Sequence, residues 1–350
     1  MDRRRALGVG LVLLSSAGYG SGSVLAAPIY ATGVDWLTLV GWRFLFGAAL
    51  GWIWVMVSAR RRASARRMSR RQLLVALALG AMFTGNAGTY YASLETVPAA
   101  LASVLVYTYP VMVAVLSLRF VTRLPGRRPW IALGLAVAGV ILALGGIDVR
   151  TAPPLSGLIL VMLSAVIYSA WIILSARLSG ERPTHLATDA PEAATSTGDA
   201  AVTTTVMMTS TATVFAAGAF LAGRPLDPAL VPSDAWIGLA ATGAVASFLA
   251  IQSFYAGARR IGASQGALVS TVEPLIIIVL AFVFLDQVLA PVQLGGAALI
   301  LLGVLIAQTA PRPRGAPQPA TPLEAEVGAG MVFRPLRRVR MPGASRRPPR

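Results

Sequence analysis

Apolar residues in this 350-residue chain are gathered into ten runs, each long enough to form a helix that crosses a lipid bilayer. A helix needs about 20 residues to cross the hydrocarbon core, where backbone groups must find their hydrogen bonds within the protein. These runs predict an all-α membrane protein with ten transmembrane helices. The predicted spans are about 6–27, 36–58, 73–94, 97–118, 130–147, 155–176, 202–222, 235–257, 264–285 and 291–309.

The scarcity of reactive side chains excludes several kinds of active site. Charged residues make up 13% of the chain, against about 25% in soluble domains. The chain has no cysteine, all 30 basic residues are arginine, and the single histidine, His185, lies in a polar segment. Disulfides, thiolate metal sites, lysine nucleophiles and Ser-His triads are therefore excluded. We expect no metal and no cofactor.

Arginine alternates between successive loops, and this alternation predicts the orientation of the chain. Short arginine-rich loops stay in the cytoplasm, which places both termini there in a multi-pass protein of the plasma (inner) membrane. The net charge of +16 is then a matter of topology, and we expect no nucleic-acid partner. The basic loops hold Arg3 to Arg5; Arg60, Arg61, Arg62, Arg66, Arg67, Arg70 and Arg71; Arg123, Arg127 and Arg128; Arg177 and Arg182; Arg259 and Arg260; the alternate loops hold only Arg150 and Arg224.

The first span has a second interpretation. An arginine cluster, an apolar run and the small residues Ala26 and Ala27 also fit a cleaved signal peptide. We favour a retained helix, because the alternation of arginine requires it.

An internal repeat becomes visible when the chain is shifted by 164 residues, which lays 91–143 over 255–307. Pro110 then matches Pro274, while Glu95 and Thr96 fall on Arg259 and Arg260, so the charge of a loop changes with its side of the membrane. Five helices per unit is an odd number, so the second unit must be inverted. The sequence predicts two inverted five-helix repeats, 1–150 and 151–310, followed by a disordered Pro- and Arg-rich tail, 311–350.

Several motifs resemble the EamA-type branch of the drug/metabolite transporter superfamily over about residues 6–309. They are YGSGS at Tyr19–Ser23, WRF at Trp42–Phe44, VYTYPVMVAVLS at Val106–Ser117, STVEPLIIIVLAFVFLDQ at Ser270–Gln287 and LGGAALILLGVLIA at Leu294–Ala307. The resemblance implies transport of small metabolites, often amino acids or drugs, usually driven by a proton gradient. Departures from the family pattern are Val121-Thr122 and Leu285-Asp286, where Gly-Glu is common, and Tyr19, where Trp is usual.

Glu273 is the sharpest candidate for a functional residue. It lies about ten residues into the predicted ninth helix, near the middle of the bilayer. A carboxylate at that depth is costly, so it should face the bundle interior, pair with another group or be protonated. Proton coupling would use such a group, whereas a structural role would bond it to neighbouring helices.

Pro274 follows Glu273, and its repeat partner is Pro110. A proline within a helix leaves the carbonyl four residues back without its donor, here the carbonyls of Ser270 and Val106. Such carbonyls beside a kink can bind a substrate or coupling ion. The alternative is a kink that serves packing only.

Arg43 lies seven residues past Trp36, toward the outer end of the second helix. It could bind a substrate carboxylate or pair with Glu273. It could equally extend its side chain to the outer interface. The resemblance of the WRF motif favours the inward role.

Polar and aromatic side chains within the spans are candidates for a cavity lining. The principal group is Tyr19, Asn86, Tyr90, Tyr107 and Tyr109, with weaker candidates in Tyr168, Trp171, Gln252 and Tyr255. Aromatic residues near helix ends are expected in the interfacial belt instead, namely Tyr91, Trp130 and Trp236. We expect helix packing from the Thr205, Thr209 and Thr213 stripe and from Gly18, Gly20 and Gly22.

Together these features predict a secondary active transporter. It would export a small amino acid-like metabolite or a drug, driven by the proton gradient. A membrane-embedded enzyme and a non-transporting helper protein are the alternatives, but an enzyme needs paired acid-base groups, and Glu273 has no companion in the spans. We expect a small-molecule substrate, protons and the lipid bilayer as partners, and no enzymatic activity; a homodimer is left open.

Overall fold

The structure, a computed structural model, describes residues 3–120, 127–145, 152–178, 199–223 and 226–308. Regular structure within them is helical throughout, with a short 3₁₀ turn at Pro228–Leu230. Most of the polar loop 178–201, the tail from Pro311 and the Val121-Thr122 pair lie outside the described residues. The helices are α1 (Arg3–Ala31), α2 (Trp36–Val57), α3 (Ala59–Arg66), α4 (Arg70–Leu94), α5 (Ala99–Val106), α6 (Tyr109–Phe120), α7 (Arg128–Gly145), α8 (Leu155–Leu178), α9 (Ala200–Leu221), α10 (Ala235–Ile261), α11 (Ala263–Ser270), α12 (Glu273–Leu285) and α13 (Pro291–Gln308).

Seven of these segments are long and apolar enough to cross a membrane: α1, α2, α4, α9, α10, Leu155–Ser175 of α8, and Leu268–Leu285. Three apolar segments in the described residues are shorter, Ala99–Val113, Trp130–Leu144 and Pro291–Ile306. The all-helical, multi-pass class is confirmed. The count of ten spans stays a prediction, because the three shorter segments fall below the usual spanning length.

The fourth and ninth spans, predicted over 97–118 and 264–285 with a kink at each proline, are each interrupted near the middle by a break between two helices. Tyr107 and Thr108 separate α5 from α6, and Thr271 and Val272 separate α11 from α12. A proline inside a helix costs about 3 kcal/mol, whereas at the first turn its missing N–H costs nothing. Each helix therefore ends before its proline, and a new helix begins.

The helix starts obey the 164-residue repeat. Ala99 and Ala263 begin equivalent helices, and Tyr109 and Glu273 begin the helices that follow the two breaks. The packing has the same symmetry: α1 packs on α10 as α8 packs on α4, and α1 packs on α12 as α8 packs on α6. The pairs α2 with α9 and α7 with α13 join equivalent helices directly. The fold is thus built from two related units whose helices pack against each other.

Small and hydroxylated residues allow close approach between helices, as predicted. A Cβ atom added to Gly22 would lie 2.7 Å from the Ala246 Cβ and 2.8 Å from the Tyr91 hydroxyl. Thr205, Thr209 and Thr213 each donate to the carbonyl four residues back in α9. The threonine stripe satisfies its own hydroxyls, which confirms the packing interpretation.

Candidate functional site

A cavity of about 270 Å³ lies inside the helix bundle and is lined from both repeats. Helices α1, α2, α4, α8, α9 and α10 contribute to its wall, together with residues at both helix breaks. The fold brings eight of the ten predicted site residues together here: Tyr19, Arg43, Asn86, Tyr90, Tyr107, Tyr109, Ser270 and Glu273. The other two, Pro110 and Pro274, are the buried second residues of α6 and α12 and lie next to the helix breaks.

Glu273 is the first residue of α12, and the part of its side chain that is not buried lies on the cavity. The break changes its environment from the middle of a helix to a helix N-terminus. The helix dipole favours a negative charge at this end by about 0.3–1 kcal/mol, while removal from water penalises the same charge. The break therefore places Glu273 between the C-terminus of α11 and the N-terminus of α12, whose dipoles act on a negative charge in opposite directions.

The two helix breaks meet through a hydrogen bond. The Tyr107 hydroxyl donates to the Ser270 carbonyl at 2.6 Å. This carbonyl was predicted to lack its helical donor, and a tyrosine of the other repeat takes the place of that donor. Tyr107 therefore fixes the break that precedes Glu273.

Tyr107→Phe is expected to destabilise this junction. The substitution leaves a buried carbonyl short of a donor, which costs about 1–3 kcal/mol. The purified variant should melt several degrees below the wild type in a thermal unfolding assay. Tyr168→Phe is the matched control, since among the described residues the Tyr168 hydroxyl makes no hydrogen bond; equal melting temperatures for the two variants would contradict the role of Tyr107.

Arg43 points into the bundle and is 8% exposed, so its side chain does not reach to the interface. Its Nε donates to the Ser247 hydroxyl at 2.8 Å, and its Nη2 donates to the Ala246 carbonyl at 3.0 Å. Its Nη1 donates to the Tyr91 hydroxyl. These partners differ from the predicted pairing with Glu273, and they join α2 to α4 and α10.

The partners of Arg43 on α10 belong to a π-helical segment, Thr242–Leu249. A π-helix shifts the backbone hydrogen bonds by one residue, and such segments are frequent at functional sites. Here the π-helical segment presents both the Ala246 carbonyl and the Ser247 hydroxyl to one guanidinium group. We call the group formed by Arg43, Tyr91, Ala246 and Ser247 the arginine clamp.

The assignment of Tyr91 to the interfacial belt was wrong. Tyr91 is 3% exposed and lies beneath the Arg43 guanidinium, whose central carbon is 4.7 Å from the ring centroid. The Tyr30 hydroxyl donates to the Tyr91 carbonyl at 2.8 Å. Tyr91 lies near the end of α4, but α1 covers this end of the helix, so the ring does not reach the interface. Trp130, by contrast, is 62% exposed at the start of α7, as a belt residue would be.

Aromatic rings form a continuous wall on one side of the cavity, here called the aromatic wall. Ring centroids are 5.5 Å apart for Tyr107 and Tyr109, 4.6 Å for Tyr109 and Tyr168, and 5.8 Å for Tyr168 and Trp171. Phe83 follows at 5.5 Å from Trp171. The weaker candidates Tyr168 and Trp171 thus belong to the site as fully as Tyr107 and Tyr109.

The serines of α1 were missed by the sequence analysis, although Tyr19 on the same helix was predicted. Ser15, Tyr19 and Ser23 are spaced by four residues, so they share one helix face, and all three line the cavity. Ser23 and Tyr90 share a hydrogen bond at 3.0 Å. The hydroxyl oxygens of Ser15 and Ser16 are buried in the cavity wall and have no hydrogen-bond partner among the described residues.

The contribution of α9 was also missed. Its cavity-lining residues are Thr204, Met207, Met208 and Thr211. The repeat offered a signal, because Met207 is the equivalent of Arg43 and Tyr255 the equivalent of Tyr91, 164 positions on. Asn86, which was predicted, accepts from the Ser164 hydroxyl at 2.7 Å.

Comparison with known proteins places these features in context. The model of the EamA-like transporter family matches residues 6–145 and 155–309. A crystal structure of another protein, 19% identical in sequence, aligns with a TM-score of 0.53 over 88% of this chain and 96% of that chain. At this identity the likeness shows the fold alone. A comparison with curated proteins found no match.

Proposed function

Because the chain belongs to the EamA-like transporter family, and is therefore a membrane transporter of the drug/metabolite transporter superfamily, we propose that it is a secondary active exporter of a small metabolite, either an amino acid-like compound or a drug. We propose that the proton gradient drives export. The observation that carries this proposal is the cavity shared by the two repeats, with a helix break from each repeat at its wall. Alternating access by rocking of two repeats requires a site between them.

The size of the cavity supports a small substrate. Pockets for drug-sized ligands measure about 300–1,000 Å³, and this cavity lies just below that range. Its wall carries polar side chains and aromatic rings in similar numbers. Such a lining suits a compact molecule that has both an apolar part and polar groups.

Glu273 is the proposed proton-coupling residue. Its carboxyl group has no hydrogen bond or ion pair within the described part of the chain. The ionisable groups around it are the Arg43 guanidinium and the phenol groups of Tyr19, Tyr90, Tyr91, Tyr107, Tyr109, Tyr168 and Tyr255. No second carboxylate lines the cavity among the described residues, so one group would have to bind and release the proton.

The orientation can be tested by labelling, because the chain contains no cysteine and needs no prior cysteine removal. In the proposed plasma-membrane orientation both termini are cytoplasmic. A single cysteine at Ala63 should react with a membrane-impermeant maleimide only after cells are opened, and one at Ala229 should react in intact cells. The reverse pattern would contradict the orientation.

Transport itself is tested in two steps. A strain that expresses the protein is screened for resistance to toxic amino acids, their analogues and drugs. The compound identified is then used with purified protein in vesicles, where an imposed pH gradient should drive its accumulation. If the pH gradient drives no accumulation of the identified compound in vesicles, the protein lacks the proposed activity.

A further inference from the structure

We infer that the transported molecule carries a cationic nitrogen, which binds to Glu273 beside the aromatic wall. The inference rests on the proposed function and adds the chemical class of the substrate. It begins from the charges on the cavity. Among the described residues that line it, only Arg43 and Glu273 carry formal charges.

The two charged groups differ in what they leave for a ligand. Three of the five N–H groups of the Arg43 guanidinium already donate hydrogen bonds within the arginine clamp, and the Phe44 ring centroid lies 5.4 Å from its central carbon. A substrate carboxylate would find at most two N–H groups there, on a side chain that is 8% exposed. Glu273 has no partner within the described residues, and its free surface lies on the cavity. The charged group without a partner in the described part of the chain is therefore the Glu273 carboxylate, and a cation is the ligand that complements it.

The surroundings of Glu273 favour an organic cation over a metal ion. The faces of tyrosine and tryptophan rings carry negative potential and attract ammonium groups, most strongly where water is excluded. Tyr107 and Tyr109 flank the break of the first repeat, and the Tyr107 hydroxyl donates to the Ser270 carbonyl, three residues before Glu273. Tyr168 and Trp171 continue the wall along the same cavity. An inorganic cation such as Ca²⁺ prefers six or more oxygen ligands, and the described residues offer no cluster of carboxylates to supply them.

The test uses three water-soluble probes that share a phenylethyl group: 2-phenylethylamine, neutral 2-phenylethanol and zwitterionic phenylalanine. Binding to the full-length protein in lipid nanodiscs is measured by calorimetry at pH 8, where the amine is still protonated. Empty nanodiscs correct for partition into lipid. The amine should bind at least about tenfold more tightly than the alcohol, and phenylalanine should gain nothing from its carboxylate.

Two variants test whether the preference for the amine over the alcohol depends on Glu273 and on the aromatic wall. Glu273→Gln should reduce the difference between amine and alcohol to less than about threefold, and Tyr168→Leu should weaken amine binding several-fold. Phe282→Leu, on the outer surface of the same helix as Glu273, is the control and should bind the amine as the wild type does. Melting temperatures of all variants establish that they are folded.

The contrary outcomes are distinct. Equal binding of amine and alcohol, no measurable amine binding, or much tighter binding of phenylalanine that is lost in Arg43→Gln would each overturn the inference. Amine binding without proton-driven flux would support the inference and contradict the proposed function. Proton-driven flux of a neutral or anionic compound, with no amine binding, would support the proposed function and contradict the inference.

Discussion

Glu273→Gln is expected to abolish the accumulation of substrate driven by a pH gradient while preserving exchange between equal pH values at saturating substrate. Glutamine keeps the shape of the side chain but cannot bind or release a proton. One pH unit corresponds to about 1.4 kcal/mol, enough for tenfold accumulation if one proton moves per substrate. In reconstituted vesicles the wild type should approach that ratio, and the variant should stop near equal concentrations.

Asp286→Asn provides the matched control for this prediction. Asp286 is an exposed residue at the end of α12 and has no place on the cavity, so its conversion to an amide should leave accumulation intact. Accumulation by Glu273→Gln at the wild-type rate would make Glu273 a structural residue. The coupling group would then have to be sought elsewhere, or the protein would be a facilitator.

Arg43→Gln and Arg43→Lys are expected to lose most transport per molecule, because both break the arginine clamp. Hydrogen bonds to a charged group contribute about 1.5–3 kcal/mol each, and glutamine cannot replace all three donors. Lysine keeps the charge but lacks the planar fork that reaches Tyr91, Ala246 and Ser247 together. Flux is measured per molecule at matched membrane abundance.

The lysine variant separates two roles. Recovery of flux in Arg43→Lys would mean that the charge acts alone, for example on a substrate carboxylate. Loss in both variants would assign the role to the geometry of the clamp. Arg61→Gln serves as the control, since Arg61 stacks on Trp54 away from the cavity. Normal flux in Arg43→Gln would show that Arg43 has no role in transport.

Charge within an apolar run was the most informative signal in the sequence. A lone Glu273 in a membrane span must be accommodated by the interior, so it could be predicted to face the bundle before the shape of the bundle was known. Arg43 could equally have reached the outer interface, and the WRF motif was what favoured the inward role. The 164-residue repeat also predicts where equivalent helices begin, as the starts at Tyr109 and Glu273 illustrate. These inferences depend on burial cost and periodicity, which a sequence records directly.

The helix breaks and the position of Tyr91 depend on neighbours, which a sequence does not record. A proline in a membrane span is compatible with a kink or a break, and the choice depends on whether another group, here Tyr107, satisfies the freed carbonyl. An aromatic residue near a helix end is compatible with lipid or with a covering helix. Met207 and Thr211 resemble packing residues until α9 is seen against the cavity.

The arginine clamp has no counterpart in the other repeat, and this makes the two ends of the cavity chemically unequal. The positions equivalent to Arg43, Tyr91 and Ser247 are Met207, Tyr255 and Phe83. Separation of the helices at the clamp would break hydrogen bonds to a charged group, whereas separation at its counterpart would break the neutral hydrogen bonds from Ser210 and Thr211 to carbonyls of α4. Hydrogen bonds to a charged group are the stronger kind, so in the proposed alternating-access cycle the two opening steps would differ in free energy.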